Sequence, residues 1–203
     1  MHYLLLILLL VSQPLWAELN DYQAAYSGSF TLEQELKYKE AAQLLMDISG
    51  KYKDDYELNF RLGWLLYLSA NYPNSVKYFK KAIKIEDGAI EAKNMILLPL
   101  MASKEWGEVE RYANMVIRKE PSNYYANLRL AYTYYLKQSY SNALDRYLVL
   151  HSCYPSDIDV KLGIAACYLR VNQKDKAALF YNKILKVYPT HELAKQGYQE
   201  ATK

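Results

Sequence analysis

Residues 124–155 read YYANLRLAYTYYLKQSYSNALDRYLVLHSCYP, and residues 158–189 read IDVKLGIAACYLRVNQKDKAALFYNKILKVYP. Aligned at an offset of 34, the two stretches keep the same residue types. Leu130-Ala131 stands over Ile164-Ala165, Tyr134 over Tyr168, Ala143 over Ala177, Tyr147 over Tyr181 and Pro155 over Pro189. Outward from there, Pro121 extends the proline series, and Tyr38, Tyr72, Trp106 and Tyr140 keep the same spacing. A period of about 34 is the length of one helix–turn–helix unit. Proline cannot continue a helix, so its recurrence marks where each second helix ends. The chain is therefore expected to be all-α, a stack of helical hairpins that presents a surface and houses no reaction.

Counting from Tyr56, Ile90, Tyr124 and Ile158 gives four units in unbroken register. The first has Leu62-Gly63, Phe79 and Ala82, with Ser75 and Asp87 where the later units have alanine and proline. The second places Leu97 at the small-residue position, while Val109, Ala113, Val116 and Pro121 hold the register. These residues resemble the tetratricopeptide repeat family, fully from Tyr56 to Pro189 and partly from Thr31 to Tyr52. The resemblance implies a right-handed α-solenoid of antiparallel helix pairs. The pattern also has a physical cause. Small residues (Gly63, Ala131, Ala165, and Ala143 and Ala177 from the other side) let paired helices approach closely. Phe79, Tyr147 and Tyr181 then fill the space between hairpins, as close packing demands.

Boundaries follow from local chemistry. Second helices are expected after Pro73, Gly107, Ser141 and Asp175, the last two as N-caps. Pro99 removes a backbone bond to Met95 and predicts a kink. Thr31 and Gln34 suggest a capping box, with Gly28-Ser29 interrupting the helix before it. That leaves half a repeat and a short helix near Tyr22–Ser27. Glu192 to Thr202 reads as a polar capping helix burying Leu193, Ala194 and Tyr198.

The N-terminus carries an apolar run, Leu4–Val11, broken by Pro14 and followed by Ala17 before the first acid, Glu18. This reads as a signal peptide cleaved after Ala17, which implies a periplasmic or secreted protein. An uncleaved membrane anchor is the alternative, at the short limit of about 17 residues for a span. The expected organisation is residues 1–17 as signal peptide, 18–30 as N-terminal extension and 31–203 as repeat domain. Net charge is +3 among 203 residues, too small to predict a polyanionic partner. Lysines on the second helices (Lys77, Lys80, Lys81, Lys84, Lys183, Lys186) read as a solvated outer face, and no nucleic-acid partner is expected. Cys153 and Cys167 are the only cysteines and are expected to stay unbonded.

Neither His151 nor His191 has a partner at metal-ligand spacing, and no phosphate loop, nucleophile elbow or paired-cysteine pattern occurs. No enzyme activity, metal or cofactor is expected. In the family that the chain resembles, first helices line a concave groove. The resemblance carries that role to Phe60, Trp64 and Tyr67; Asn94, Leu98 and Met101; Tyr125, Leu128, Tyr132 and Tyr135; and Leu162, Leu169 and Arg170. The implied partner is a protein or peptide with an apolar or aromatic segment. Where relatives grip acidic chaperone tails, the matching positions hold Phe60, Trp64, Met95, Tyr125 and Arg129, and only the arginine fits. The alternatives to a partner are a second copy of the chain, or the aromatics Tyr22, Tyr26 and Phe30 folding into the groove.

Overall fold

A computed structural model describes the backbone of residues 14–203 and side chains from residue 20 onward. The expected signal peptide, residues 1–17, lies almost wholly outside the described residues. Every element among them is helical, twelve in all. Contacts divide the chain into two compact units, one ending at Ala92 and the other beginning at Lys93.

The first unit holds α1 (Pro14–Gln34), α2 (Tyr38–Ile48), α3 (Tyr56–Leu68) and α4 (Tyr72–Ile85). Its core is Ala25, Ala41, Ala42, Leu45, Leu58, Leu62, Leu65 and Leu66. Two expectations are corrected here. Helix α1 runs through Gly28-Ser29 without interruption, and Thr31 caps nothing, its hydroxyl donating to the Ser27 carbonyl at 3.4 Å within that helix. Tertiary packing overrides the weak local propensity. Ser29 is fully buried and accepts a hydrogen bond from Arg61 Nε at 3.3 Å, so the leading pair has both of its helices.

Helix α5 (Ile90–Met95) spans the division between the units, and Ile96 separates it from α6 (Leu97–Ala102). Ile96 itself remains right-handed helical, at φ −61° and ψ −23°. Pro99 has no N–H to bond Met95, and the helix is divided just before it while Ile96 keeps a helical conformation.

The second unit continues with α7 (Trp106–Lys119), α8 (Tyr124–Leu136), α9 (Tyr140–Cys153), α10 (Ile158–Arg170), α11 (Lys174–Val187) and α12 (Glu192–Ala201). Ala131, Ala143, Ala165 and Ala177 are all fully buried between paired helices. In the first unit the same closeness appears at Gly63, where a Cβ would lie 2.8 Å from the Phe79 ring.

The turns inside the hairpins repeat as faithfully as the helices. Leu36, Ala70, Lys104, Gln138 and Asn172 stand at φ 59° to 61°. The residue after each donates its N–H five positions back: Asn71 to Leu66 at 2.8 Å, Ser139 to Tyr134 at 2.8 Å, Gln173 to Tyr168 at 2.8 Å. This is the Schellman arrangement, here built without glycine. It feeds straight into the next helix, which corrects the expected starts. Second helices begin at Tyr72, Trp106, Tyr140 and Lys174, so Ser141 and Asp175 lie in the first turn, and none of these helices has a side-chain cap.

Four of the other helices are capped instead. Asp55 accepts from Leu58 N, Asn123 from Ala126 N, Asp157 from Val160 N and His191 from Ala194 N. The final helix buries Ala194, Gly197 and Ala201, whereas Leu193 is 61% exposed and Tyr198 36%. The expected burial of those last two is corrected: the face that α12 buries is the one carrying Ala194, Gly197 and Ala201.

Candidate groove of the second unit

A groove of about 650 Å³ opens in the second unit, lined by residues of α6, α8, α9, α10, α11 and α12. Its walls are Met101, Leu128, Tyr132, Leu162, Ala166, Leu169 and Leu193, with Tyr135, Tyr147 and Tyr181 adding phenols. Helix periodicity explains the gathering: Leu128, Tyr132 and Tyr135 are spaced to share one face of α8, as Leu162, Ala166 and Leu169 share one face of α10.

Tyr147 and Tyr181 reach the groove from second helices. A Cβ on Gly163 would overlap the Tyr147 ring tip, and one on Gly197 would overlap that of Tyr181. Each ring lies across a glycine of the helix that follows. Burial raises both phenol pKa values, that of Tyr181 to about 12.

Four charged side chains lie on the lining: Arg129, Arg170, Asp159 and Glu200. The Arg129 guanidinium donates to the Asn94 carbonyl at 2.6 Å and lies 5.2 Å from the Tyr125 ring centre. Arg170 Nε donates to the Tyr135 hydroxyl at 3.3 Å, and its Nη1 faces Glu200 at 3.9 Å. The hydrogen bond to Tyr135 raises the pKa of Arg170, so this charge is fixed at any working pH.

Among the described residues no group of three or more His, Cys, Asp or Glu is placed to hold a metal ion, and no helix is long and apolar enough to cross a membrane. Cys153 is exposed, Cys167 is buried, and both are free.

A sequence profile of the tetratricopeptide repeat matches residues 159–191, which is α10, its turn and α11. Those residues match one tetratricopeptide repeat. Solved structures of such repeats share the fold. A tetratricopeptide repeat protein from Parabacteroides merdae superposes with a TM-score of 0.81 at 14% identity, covering 90% of this chain and 72% of that one. MamA from Desulfovibrio magneticus gives 0.78 at 16% identity, covering 85% and 97%. YrrB, described as a tetratricopeptide repeat protein with an unusual peptide-binding site, gives 0.73 at 13% identity, covering 86% and 90%. No curated protein matches the sequence.

Of the thirteen groove positions that the repeat register implied, Met101, Leu128, Tyr132, Tyr135, Leu162, Leu169 and Arg170 come together on one lining. Tyr125 is 55% exposed but stands outside it. Leu98 is half-buried and outside it as well, and Asn94 is buried. Phe60, Trp64 and Tyr67 belong to the first unit, where they are half-buried. Phe60 packs on Tyr56 and Phe79, and Trp64 Nε1 donates to Glu33 at 2.7 Å. Tyr22 and Tyr26 are engaged there too, donating to Asp55 Oδ1 and the Glu57 carbonyl.

Sequence reasoning missed Tyr147 and Tyr181, which it assigned only to packing between repeats, and the α12 residues Leu193, Gln196, Gly197 and Glu200. A signal for them existed in the glycines sixteen positions after each tyrosine, Gly163 and Gly197.

Proposed function

We propose that this chain is a non-catalytic interaction scaffold that holds a polypeptide segment with apolar side chains in the groove of its second unit. The observation that carries the reading is the groove itself, a concave space of about 650 Å³. Clefts of roughly 300 to 1,000 Å³ with apolar walls and a few placed polar groups are the usual form of a binding site. The peptide-binding site in the description of YrrB supports the same use of this fold. The apolar run Leu4–Val11 and Ala17 support export and action in the cell envelope, with the N-terminus of the mature protein at Glu18.

A photoreactive amino acid at Tyr132 in the native host tests the reading. The expected result is an adduct with another protein that disappears when Leu162→Arg is added. Adducts only between copies of this chain would replace the scaffold with a self-associating subunit, and absence of adducts would remove the groove from consideration. N-terminal sequencing of the purified protein tests export: a first residue of Glu18 is expected, and retention of Met1 contradicts cleavage.

A further inference from the structure

We propose that Tyr147 and Tyr181 set the form of what the groove accepts: a segment held extended, with backbone amides or carbonyls against the two phenol hydroxyls, and not a helix. This rests on the groove-binding reading above.

The two side chains are buried to 6% and 4% exposure. The ring atom nearest the missing Cβ is Cζ in both cases, the carbon that bears the hydroxyl. Each hydroxyl therefore emerges beside Gly163 or Gly197, and both glycines line the groove. Among the described residues neither hydroxyl is in a hydrogen bond, and neither stands among the fully buried polar atoms that lack a partner. Phe79 holds the same register position in the first unit without a hydroxyl, there packed against Gly63 of its own hairpin.

An occupant that expels water from the groove must give these hydroxyls new partners, since an unsatisfied buried hydroxyl is penalised. A helix cannot provide them from its backbone, whose N–H and C=O groups are already paired along its length. Its apolar face would leave both phenols unsatisfied. An extended segment carries free N–H and C=O groups along its edge and sends alternate side chains to opposite sides. One side can then meet Leu128, Leu162 and Leu169 while the edge meets the phenols. The lining's charges, Arg129 and Arg170 against Asp159 and Glu200, balance in sign, which matches a segment of little net charge.

The probe is a random dodecapeptide library displayed on phage, selected on the full chain, with the strongest binder then synthesised. Transferred-NOE spectra are expected to show it extended. Tyr147→Phe and Tyr181→Phe keep the rings and should each weaken binding about fivefold or more, the size of one lost hydrogen bond, at unchanged melting temperature. Backbone N-methylation at single positions of the peptide should do the same where an amide meets a phenol. A binder that is helical when bound, or two phenylalanine variants within about twofold of the parent, overturns the proposal. Leu162→Arg separates the two levels. If it leaves binding intact, or if no peptide is selected, the groove reading fails and takes this inference with it. If Leu162→Arg abolishes binding and the phenylalanine variants do not weaken it, only the inference falls.

Discussion

At Gly163 even a methyl group has no room, because the Tyr147 ring tip already lies where it would go. The ring is rigid and buried, so Gly163→Ala must displace it or the helix. Overpacking of this kind costs about 1 to 3 kcal/mol, and an unchanged urea midpoint would contradict the interlock. The left-handed turn residues make the opposite prediction. Ala70 holds φ 59° with a Cβ that disfavours it, so Ala70→Gly should raise stability by about 0.5 to 1 kcal/mol in the same assay. At His151 the effect depends on pH. Its Nδ1 is buried without a partner and its ring packs on Phe180. Burial, then Lys183 and Lys161, hold its pKa below the ordinary 6.5. A depressed pKa means the unfolded chain binds the proton first. The contribution to stability is complete above pH 6.5 and is lost as pH falls below it. The melting temperature of His151→Phe should therefore drop less than that of the parent between about pH 7 and pH 5. Parallel curves would show that the ring titrates as if exposed.

At the scale of the helix, the period is written in caps as well as in cores. Asp55, Asn123, Asp157 and His191 each cap a first helix, while the matching position before α5 is Ala89. Supplying the missing oxygen with Ala89→Asp should stabilise by about 0.5 to 2 kcal/mol. Slower amide exchange within Ile90–Met95 is the readout, and unchanged protection there would count against the register. Helix positions proved more legible than helix ends. Proline and the small-to-large alternation mark cores directly, because one period places each of them. The start of a second helix depends on a backbone turn that nothing in its own side chains announces, since Ala70, Lys104, Gln138 and Asn172 share only a conformation. The continuity of α1 was hidden for a related reason. Gly28-Ser29 resembles a breaker until Arg61, thirty-two residues later, bonds Ser29.

For the whole molecule, the repeats and the all-α architecture were readable because every unit restates them, and errors in one unit are corrected by the next. The groove was only half readable. Its α8 and α10 walls follow from the first-helix register, but its phenols arrive from second helices through glycines, and its far wall comes from a helix that looked like a plain solvated end. The balanced charges of that groove carry their own expectation. Partner affinity should change by less than about threefold between low and moderate salt, where a contact driven by net charge would weaken steeply. A steep salt slope would point to the lysine faces as the docking surface. The interlocks also bear on how such a chain could lengthen. Tyr147 and Gly163 lie within Gln138–Val171, between two turns of the same backbone geometry at Gln138 and Asn172. A tandem copy of that cassette would bring its own key and its own keyhole, so each added module would enter with its phenol already matched and no compensating change elsewhere.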